Sequence, residues 1–328
     1  MQKQILAAGF FLLSLMLPMQ ASAHSYEEIY IFGDSFSDTG NLFNFSSGAI
    51  PPSPAYFDGN FSNGPLWVEY LASNLNLTVN PHTNFAFGGA TTGFDNLGLS
   101  ILPGLQQQIN DFTTTNLSAN SNALYILWAG TNDYLDYFFN NLPNPKQSVA
   151  NLSTAITSLA AVGAQDIMVL NLPDLGKFPV TGGDNNITSA LSNLINLHNL
   201  GLATSIDVLS QQLSPEINII SVDVNSLFNQ AIADPAKFNL TNVTDSCVGN
   251  SPVVPITIPT QPVLCIPDKF LFWDEVHPTT TTHQLIGKLA FSALGKTSIP
   301  EPSCLLGILA IGVSATLLRK DKLQSKIQ

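Results

Sequence analysis

Short apolar runs rich in β-branched and aromatic residues alternate with longer amphipathic stretches from residue 26 to about residue 294. This alternation constrains the fold most strongly, because strands that alternate with helices pair into a mainly parallel sheet covered by helices. Apolar residues recur at helical spacing most clearly between Leu191 and Leu209. The pattern predicts an α/β fold with five strands, at residues 28–32, 83–87, 123–129, 167–171 and 217–223. It predicts helices at residues 65–73, 101–112, 147–161, 189–213 and 282–294.

Two stretches, residues 41–64 and 239–268, are rich in Asn, Ser, Gly and Pro and fit neither pattern. They are predicted to be long loops. Because long loops inside an α/β domain are usually either functional or disordered, they are candidates for the walls of a substrate cleft. Five aromatic residues of the first stretch either bind an apolar group of the substrate or pack under the loop: Phe43, Phe45, Tyr56, Phe57 and Phe61.

The central part of the chain is poor in positive charge. Five of the eleven Lys and Arg lie near the termini, so residues 24–298 contain six Lys and no Arg, and the formal net charge is −12. Nucleic acids and polyphosphates need rows of cations or bidentate guanidinium groups to neutralise their phosphates. The composition therefore argues against nucleic acid as a partner.

The first 23 residues resemble a secretory signal. Lys3 precedes an apolar run over residues 5–17, and Ala21-Ser22-Ala23 provides a small-residue cleavage site. The alternative, a membrane anchor, would need about 20 apolar residues to span a bilayer. We therefore predict export, with His24 as the first mature residue. In an exported protein Cys247 and Cys265 can form a disulfide or remain two free thiols, and the spacing does not decide between these.

The last 30 residues form a second sorting-like segment. Pro300-Glu301-Pro302 precedes an apolar stretch over residues 304–318, and a basic end follows from Arg319. This order resembles the PEP-CTERM tail, which implies cleavage by an exosortase. The alternative is a plain membrane anchor with its positive charges on the cytoplasmic side. The chain thus divides into a signal peptide (1–23), one domain (24–298) and a sorting or anchor segment (299–328), and it meets a membrane only through the terminal segments.

A serine follows the first predicted strand at an abrupt turn, in Gly33-Asp34-Ser35-Phe36-Ser37. Gly33 permits a tight turn, so Ser35 stands where a strand gives way to the start of a helix, with its amide and hydroxyl facing the same space. A nucleophilic serine needs this placement, because the oxyanion formed by its attack must find hydrogen-bond donors nearby. The alternative is an ordinary turn with a capping serine.

An aspartate and a histidine stand three residues apart in Trp273-Asp274-Glu275-Val276-His277-Pro278. Asp274 can fold back to accept the second imidazole proton of His277, which fixes the tautomer that receives a proton from serine. The other histidines suit this role less well. His198 and His283 stand in helical patterns and are predicted to be structural or surface residues.

Two further predicted strands end in groups suited to bind an oxyanion. Gly88-Gly89 follows residues 83–87 and lets backbone amides approach a ligand closely. Asn132 follows residues 123–129 and carries an amide that can donate a hydrogen bond. Each segment could also be an ordinary turn at which a strand gives way to a loop. Because an open α/β sheet forms its active site at the carboxyl ends of its strands, we expect these segments to meet there.

Four ordered blocks carry a family resemblance: Gly33-Asp34-Ser35 with Ser37-Asp38-Thr39-Gly40-Asn41, Gly88-Gly89, Gly130-Thr131-Asn132-Asp133 and Asp274-x-x-His277. Over residues 28–294 the chain resembles the GDSL, or SGNH, hydrolases. The resemblance implies a flavodoxin-like three-layer α/β/α sandwich that cleaves acyl esters of small molecules or lipids without a cofactor or metal. It implies Ser35 as the nucleophile, His277 as base and then acid, and Asp274 as the residue that orients His277.

The same resemblance implies an oxyanion hole formed by the Ser35 amide, the Gly89 amide and the Asn132 side chain. Gly89 is chosen because Ala90-Thr91-Thr92 aligns after it, and Gly88 is the alternative.

Other functions fit parts of this pattern. An ordinary α/β-hydrolase would need a Gly-x-Ser-x-Gly elbow, which the sequence lacks. A metallophosphatase could use Asp34, Asn132, Asp274 and His277 as metal ligands. It would also need a His pair at ligand spacing and an Arg to hold the phosphate, and residues 24–298 offer neither. A non-catalytic, surface-attached binding protein could share the fold, and an acyltransferase could use the same triad.

Overall fold

Four parallel strands form the central sheet of the protein, for which we describe a computed structural model. The structure describes residues 25–139, 141–248 and 265–297, and Ser25–Leu294 belongs to one compact unit. The signal peptide predicted at residues 1–23 and the sorting segment predicted at residues 299–328 lie outside the described residues. In sheet order, the strands are β1 (Glu28–Gly33), β2 (Ala123–Trp128), β3 (Asp166–Leu170) and β4 (Asn218–Val222).

Four of the five predicted strands are confirmed, and residues 83–87 are the exception. This segment lies beside β1, where the Phe85 amide donates to the Ile31 carbonyl at 2.8 Å, but its only regular bridge joins Ile31 and Asn84. On its other side, the carboxamide of Asn41 donates to the carbonyls of Asn84 and Ala86. These side-chain hydrogen bonds take the place of a neighbouring strand. Within the described residues, the sheet therefore has four regular strands with an extended segment along the β1 edge.

Eight α-helices accompany the sheet in the described part of the chain. They are α1 (Asn41–Phe45), α2 (Trp67–Asn74), α3 (Leu105–Thr115), α4 (Thr131–Leu135), α5 (Pro145–Ala161), α6 (Asn185–Gln212), α7 (Val224–Ala233) and α8 (Thr280–Thr297). The five predicted helices correspond to α2, α3, α5, α6 and α8, with shifted ends. Of the three others, α1 and α4 contain only five residues each, too few for a helical period to stand out in the sequence, and the ten-residue α7 was not predicted.

The stretch predicted as a loop at residues 239–268 contains a strand. β5 (Asn242–Ser246) pairs in parallel with β6 (Phe270–Phe272), apart from the central sheet. β5 has a mostly polar sequence, Asn-Val-Thr-Asp-Ser, so no apolar run marks it. Of the two alternatives for the cysteines, the structure has the disulfide, which joins Cys247 and Cys265 beside these strands.

Alternate side chains of β2 enter two hydrophobic cores, one on each face of the sheet. All six residues of β2 are buried. Leu124, Ile126 and Trp128 pack with α2, α7 and α8, whereas Tyr125 and Leu127 pack with α3 and α5. The result is a three-layer α/β/α sandwich, and burial of both faces explains why the strands are continuous apolar runs in the sequence. None of the helices in the described ranges combines the length and the hydropathy needed to cross a membrane.

Candidate active site

The chain turns sharply at the carboxyl end of β1, where Ser35 lies. A Cβ atom on Gly33 would stand 2.1 Å from the carbonyl oxygen of Trp128, so only glycine lets β1 end this close to β2. The amides of Ser37 and Asp38 then donate to the Asp34 carbonyl, both at 3.0 Å, and close a helical turn. Ser35 is therefore held within this turn, at the edge where the two strands end.

Ser35, His277 and Asp274, the three residues predicted to form a triad, lie in one chain of hydrogen bonds. His277 Nε2 lies 2.8 Å from Ser35 Oγ, and His277 Nδ1 lies 2.7 Å from Asp274 Oδ2. When Nδ1 donates to the carboxylate, the neutral imidazole leaves Nε2 able to accept the serine proton. The arrangement can thus activate Ser35 for attack on a carbonyl carbon.

The side chain of Asp274 folds back onto its own loop. Its Oδ1 accepts from the amides of Val276 and His277, at 2.8 and 2.7 Å. Burial acts to raise the pKa of Asp274, but the charge of protonated His277 and hydrogen bonds from His277 and Tyr56 outweigh it and hold the pKa below its usual value. The carboxylate is therefore ionised at neutral pH and can orient the imidazole.

The carboxyl group of Asp34, directly before Ser35, is buried and only half satisfied. Its Oδ1 accepts from the Phe36 amide at 3.0 Å, whereas Oδ2 has no hydrogen-bond partner among the described residues. Burial raises the pKa of Asp34 to about 7. Asp34 thus shapes the turn that carries Ser35, and its charge changes near neutral pH.

Gly88 and Gly89 differ in whether the amide is free to bind an oxyanion. The Gly88 amide donates to Asp38 Oδ2 at 2.8 Å. Within the described ranges, the amides of Ser35 and Gly89 donate to no protein acceptor. Gly89 has a φ of 82°, and a Cβ there would lie 2.5 Å from Asn96 Oδ1, so this position requires glycine. The geometry favours Gly89 over Gly88 as a donor to a ligand.

Asn132 reaches the same edge of the sheet at the start of α4. Its Nδ2 donates to the carbonyl of Ala90 at 2.9 Å, and its second N–H has no partner among the residues described. The neighbouring Asp133 accepts hydrogen bonds from Thr92 and Ser148. Asp133 therefore supports the adjoining loops, while Asn132 keeps a donor for a ligand.

Three side chains that shape the site were given no such role by the sequence analysis. The Tyr56 hydroxyl donates to Asp274 Oδ2 at 2.7 Å. Gln108 exchanges two hydrogen bonds with the backbone of Gly33. Asp38 accepts from four backbone amides, one of them from the loop that carries Gly88 and Gly89. Asp38 belongs to the first sequence block, so its importance could have been inferred from the sequence. The contacts of Tyr56 and Gln108 join distant parts of the chain, so no local sequence pattern predicts them.

Some aromatic residues of stretch 41–64 pack under the loop, and others are exposed and available to bind an apolar group. Tyr56 and Phe61 are buried and Phe43 is half-buried, whereas Phe45 and Phe57 are exposed. The stretch also lines a cavity of about 340 Å³ next to the first block. The loop therefore both packs against the site and offers exposed aromatic surface.

His198 and His283 are buried in helices and do not join the triad. Nδ1 of His198 lies 2.8 Å from the Tyr134 hydroxyl, and burial lowers the pKa of His198 to about 4. Nδ1 of His283 accepts from the Trp67 amide at 3.3 Å, and burial lowers its pKa to about 3. Both are therefore neutral structural residues at neutral pH. The residues described contain no group of three or more His, Cys, Asp or Glu placed to hold a metal ion.

A parallel sheet that brings a serine, a histidine and an aspartate together at its carboxyl edge has the features of an enzyme that acts on ester bonds. The family model described as GDSL-like Lipase/Acylhydrolase matches residues 29–290. The chain belongs to this family of ester-cleaving enzymes.

Two bacterial relatives align with most of the chain. A phosphatidylcholine-sterol acyltransferase of Aeromonas hydrophila is 28% identical over 321 residues, covering 85% of this chain and 93% of the relative. A thermolabile hemolysin of Vibrio parahaemolyticus is 30% identical over 273 residues, covering 80% of this chain and 62% of the hemolysin. Among solved structures, a putative GDSL-like lipase from Parabacteroides merdae superposes with a TM-score of 0.47 at 14% identity, covering 83% of this chain and 97% of that one.

Proposed function

We propose that the chain is an exported serine ester hydrolase that acts through Ser35, His277 and Asp274. The observation that carries this proposal is the unbroken chain of hydrogen bonds, 2.8 Å from Ser35 Oγ to His277 Nε2 and 2.7 Å from His277 Nδ1 to Asp274 Oδ2. Membership of an ester-cleaving family supports the same chemistry. Export is inferred from the pattern of residues 1–23 alone.

In the proposed reaction, Ser35 Oγ attacks the acyl carbonyl while His277 Nε2 takes the hydroxyl proton. The Ser35 and Gly89 amides and Asn132 Nδ2 bind the resulting oxyanion. Collapse of the tetrahedral intermediate breaks the bond to the alcohol oxygen, and His277 gives its proton to that oxygen. Water, deprotonated by His277, then attacks the acyl-Ser35 ester, so that the carboxylic acid leaves and Ser35 is restored.

Exposed apolar side chains at the carboxyl edge of the sheet support an acyl group as part of the substrate. Phe45, Phe94, Ile101 and Phe139 are 54%, 60%, 77% and 43% exposed. They lie on the segments that follow β1, residues 83–87 and β2, which also carry Ser35, Gly89 and Asn132. Apolar surface beside a few placed polar groups is typical of sites for apolar ligands. The proposed substrate is an acyl ester of a small molecule or a lipid.

Acyl transfer to an alcohol is a second candidate, favoured by the similarity to the Aeromonas acyltransferase. Both reactions share the acyl-Ser35 intermediate and differ in whether water or an alcohol attacks it. Product analysis with an added alcohol separates them. A new ester formed faster than the free acid would favour the transferase.

The test of the nucleophile is labelling by a fluorophosphonate, followed by mass spectrometry. We expect the label on Ser35 and not on Ser37, whose hydroxyl accepts from Trp67 Nε1 at 3.1 Å. Ser35→Ala and His277→Ala should each lower the hydrolysis of p-nitrophenyl esters by roughly 10⁶-fold, because the triad acts as a unit. Label on another serine, or full turnover by Ser35→Ala, would refute the assignment. EDTA should leave turnover unchanged, and activity lost to EDTA but restored by Zn²⁺ would favour the metallophosphatase alternative.

A further inference from the structure

The hydroxyl of Tyr56 and the imidazole of His277 share one oxygen of Asp274. Tyr56 donates to Asp274 Oδ2 at 2.7 Å, and His277 Nδ1 lies 2.7 Å from the same atom. The remaining donors to Asp274, the amides of Val276 and His277, lie within three residues of it. Among the described residues, Tyr56 alone reaches this carboxylate from a distant segment, 218 residues earlier in the chain. The stretch 41–64 therefore contacts the proposed triad directly.

Packing directs the Tyr56 hydroxyl at Asp274. Tyr56 is 5% exposed, and its ring meets the rings of Phe61 and Trp273 edge-on, each with centroids 6.4 Å apart. The same hydrophobic cluster includes Cys247, one half of the disulfide. A ring enclosed on these sides has little freedom to turn its hydroxyl elsewhere.

The backbone around Tyr56 is tied to the loop that carries His277. The Tyr56 amide donates to the Pro52 carbonyl at 3.2 Å. The Phe57 amide donates to the Ser62 carbonyl at 3.0 Å, and Ser62 Oγ donates to the Pro278 carbonyl at 2.8 Å. Pro278 directly follows His277. The two loops are thus joined at a second point besides the Tyr56 hydroxyl, which holds the distance between them.

The charge around the shared oxygen favours Tyr56 as the donor. Burial and the negative charge of Asp274 raise the pKa of Tyr56, so its hydroxyl keeps its proton. A hydrogen bond donated to an ionised carboxylate stabilises the charge and lowers the affinity of that carboxylate for a proton. The carboxylate then stabilises a neighbouring protonated imidazole less strongly. The other titratable groups whose charges act on this set are Asp34 and His283, which interact with His277, and Glu275, which interacts with Asp274 and Tyr56. None of them is removed in the Tyr56 variants, so a change in the pH profile reports on the Tyr56 hydroxyl.

We propose that Tyr56 is a positioning residue, which holds Asp274 in place for His277 and sets the pH at which the enzyme becomes active. This inference rests on the proposed roles of Ser35, His277 and Asp274. The Tyr56 hydroxyl acts through Asp274 and does not touch the substrate.

Tyr56→Phe tests the inference, because it keeps the packed ring and removes only the hydroxyl. For p-nitrophenyl ester hydrolysis at neutral pH, we expect kcat to fall by roughly ten- to a hundredfold with KM unchanged, the range that a hydrogen bond to a charged group corresponds to. The acidic limb of the pH–rate profile should move to higher pH, because the carboxylate then favours the protonated imidazole more strongly. Tyr125→Phe is the matched control. The Tyr125 hydroxyl donates to the Asn120 carbonyl at 2.9 Å, beyond the other end of β2. Removal of this hydroxyl should change neither kcat nor the pH of the acidic limb.

A second substitution predicts a shift in the opposite direction. The phenol of 3-fluorotyrosine at position 56 is more acidic and a stronger donor, so the acidic limb should move to lower pH. A Tyr56→Phe protein that is folded by circular dichroism and keeps the wild-type limb would overturn the inference, and so would equal shifts in Tyr56→Phe and Tyr125→Phe. Fluorophosphonate labelling separates the two proposals. If wild-type Ser35 is not labelled, the proposed function fails, whereas labelled Ser35 with an unchanged profile in Tyr56→Phe removes only the role of Tyr56.

Discussion

Gln108 and Gly33 exchange two hydrogen bonds at the end of the central sheet. The Gly33 amide donates to Gln108 Oε1 at 2.9 Å, and Gln108 Nε2 donates to the Gly33 carbonyl at 2.8 Å. Gly33 is the last residue of β1 and stands two residues before Ser35. One side chain of α3 therefore satisfies both polar groups of the residue from which the Ser35 turn begins.

Gln108→Ala should weaken both the fold and the turn. Gln108 is buried, so the Gly33 amide would lose its acceptor without gaining water, at a cost of about 1–3 kcal/mol in the free energy of unfolding. We also expect kcat to fall more than KM rises, because Ser35 would be less well placed. Urea unfolding and ester hydrolysis measure the two effects.

The control for this change is Gln107→Ala, at the exposed neighbouring position of the same helix. It should change the free energy of unfolding by less than about 0.5 kcal/mol. Gln108→Glu adds a sharper comparison, since a carboxylate can accept from the Gly33 amide but cannot donate to its carbonyl. Wild-type stability in both Gln108 variants would show that the two hydrogen bonds contribute nothing.

The central strands could be predicted because each leaves a local mark. Strands buried on both faces appear as continuous apolar runs, as β2 does. Residues 83–87 end in the short apolar run Phe85-Ala86-Phe87, yet side-chain hydrogen bonds from Asn41 occupy their outer edge and no regular strand forms. β5 has no apolar run and was missed, since its strand comes from pairing with β6.

The candidate site likewise contains contacts that the sequence predicts and contacts that it does not. Asp274 and His277 lie three residues apart and fold onto each other, so their relationship can be inferred from spacing alone. The contacts of Tyr56 with Asp274 and of Gln108 with Gly33 span 218 and 75 residues. Such contacts depend on how the loops and helices pack, which no local pattern in one sequence shows.

Asn132→Ala should slow the chemical step and leave binding intact. The variant removes one donor to the proposed oxyanion, which forms only as the ester is attacked, so kcat should fall by roughly 10² to 10³ with little change in KM. Steady-state kinetics on a p-nitrophenyl ester separates the two constants. A change confined to KM would instead place Asn132 in ground-state binding.

The control for Asn132 is Asn199→Ala. The Asn199 carboxamide also donates to a backbone carbonyl, that of Leu172 at 2.8 Å, but it lies within α6 and was assigned no role in the reaction. This variant should lower the melting temperature without a hundredfold loss in kcat. Equal kcat losses in the two variants would indicate a general loss of packing.

The buried His198 should make the fold sensitive to acid. Its pKa is about 4 in the folded chain and about 6.5 when unfolded, so between these pH values the unfolded chain binds a proton that the folded chain does not. The free energy of unfolding therefore falls as the pH drops through this window, by up to about 1.4 kcal/mol per pH unit. His198→Gln should remove this loss and so gain stability relative to the wild type on acidification from pH 6.5 to 4.5.

Asp34 provides the opposite sign in the same experiment. Its pKa is about 7 in the folded chain and about 3.9 when unfolded, so the folded chain binds the extra proton and the free energy of unfolding rises as the pH falls from about 7 to 4. Asp34→Asn should therefore lose stability relative to the wild type on acidification. Urea midpoints at several pH values measure both differences. Parallel pH dependences in the wild type and either variant would contradict the corresponding titration.

The last prediction concerns residues 299–328, which contain none of the proposed catalytic or oxyanion groups. Ser25–Leu294 belongs to one compact unit, and α8 ends at Thr297. A chain shortened to residues 24–298 should therefore be soluble, folded and as active as the full mature chain. Gel filtration and p-nitrophenyl ester hydrolysis provide the comparison. If the shortened chain were insoluble or inactive while the longer chain worked in detergent, residues 299–328 would have to contribute to the fold.

In the native host, the predicted export and processing require His24 at the mature N-terminus and a C-terminus near Pro300. Intact-mass measurement tests both ends, and an exported protein that still carries Gln328 would favour a plain membrane anchor.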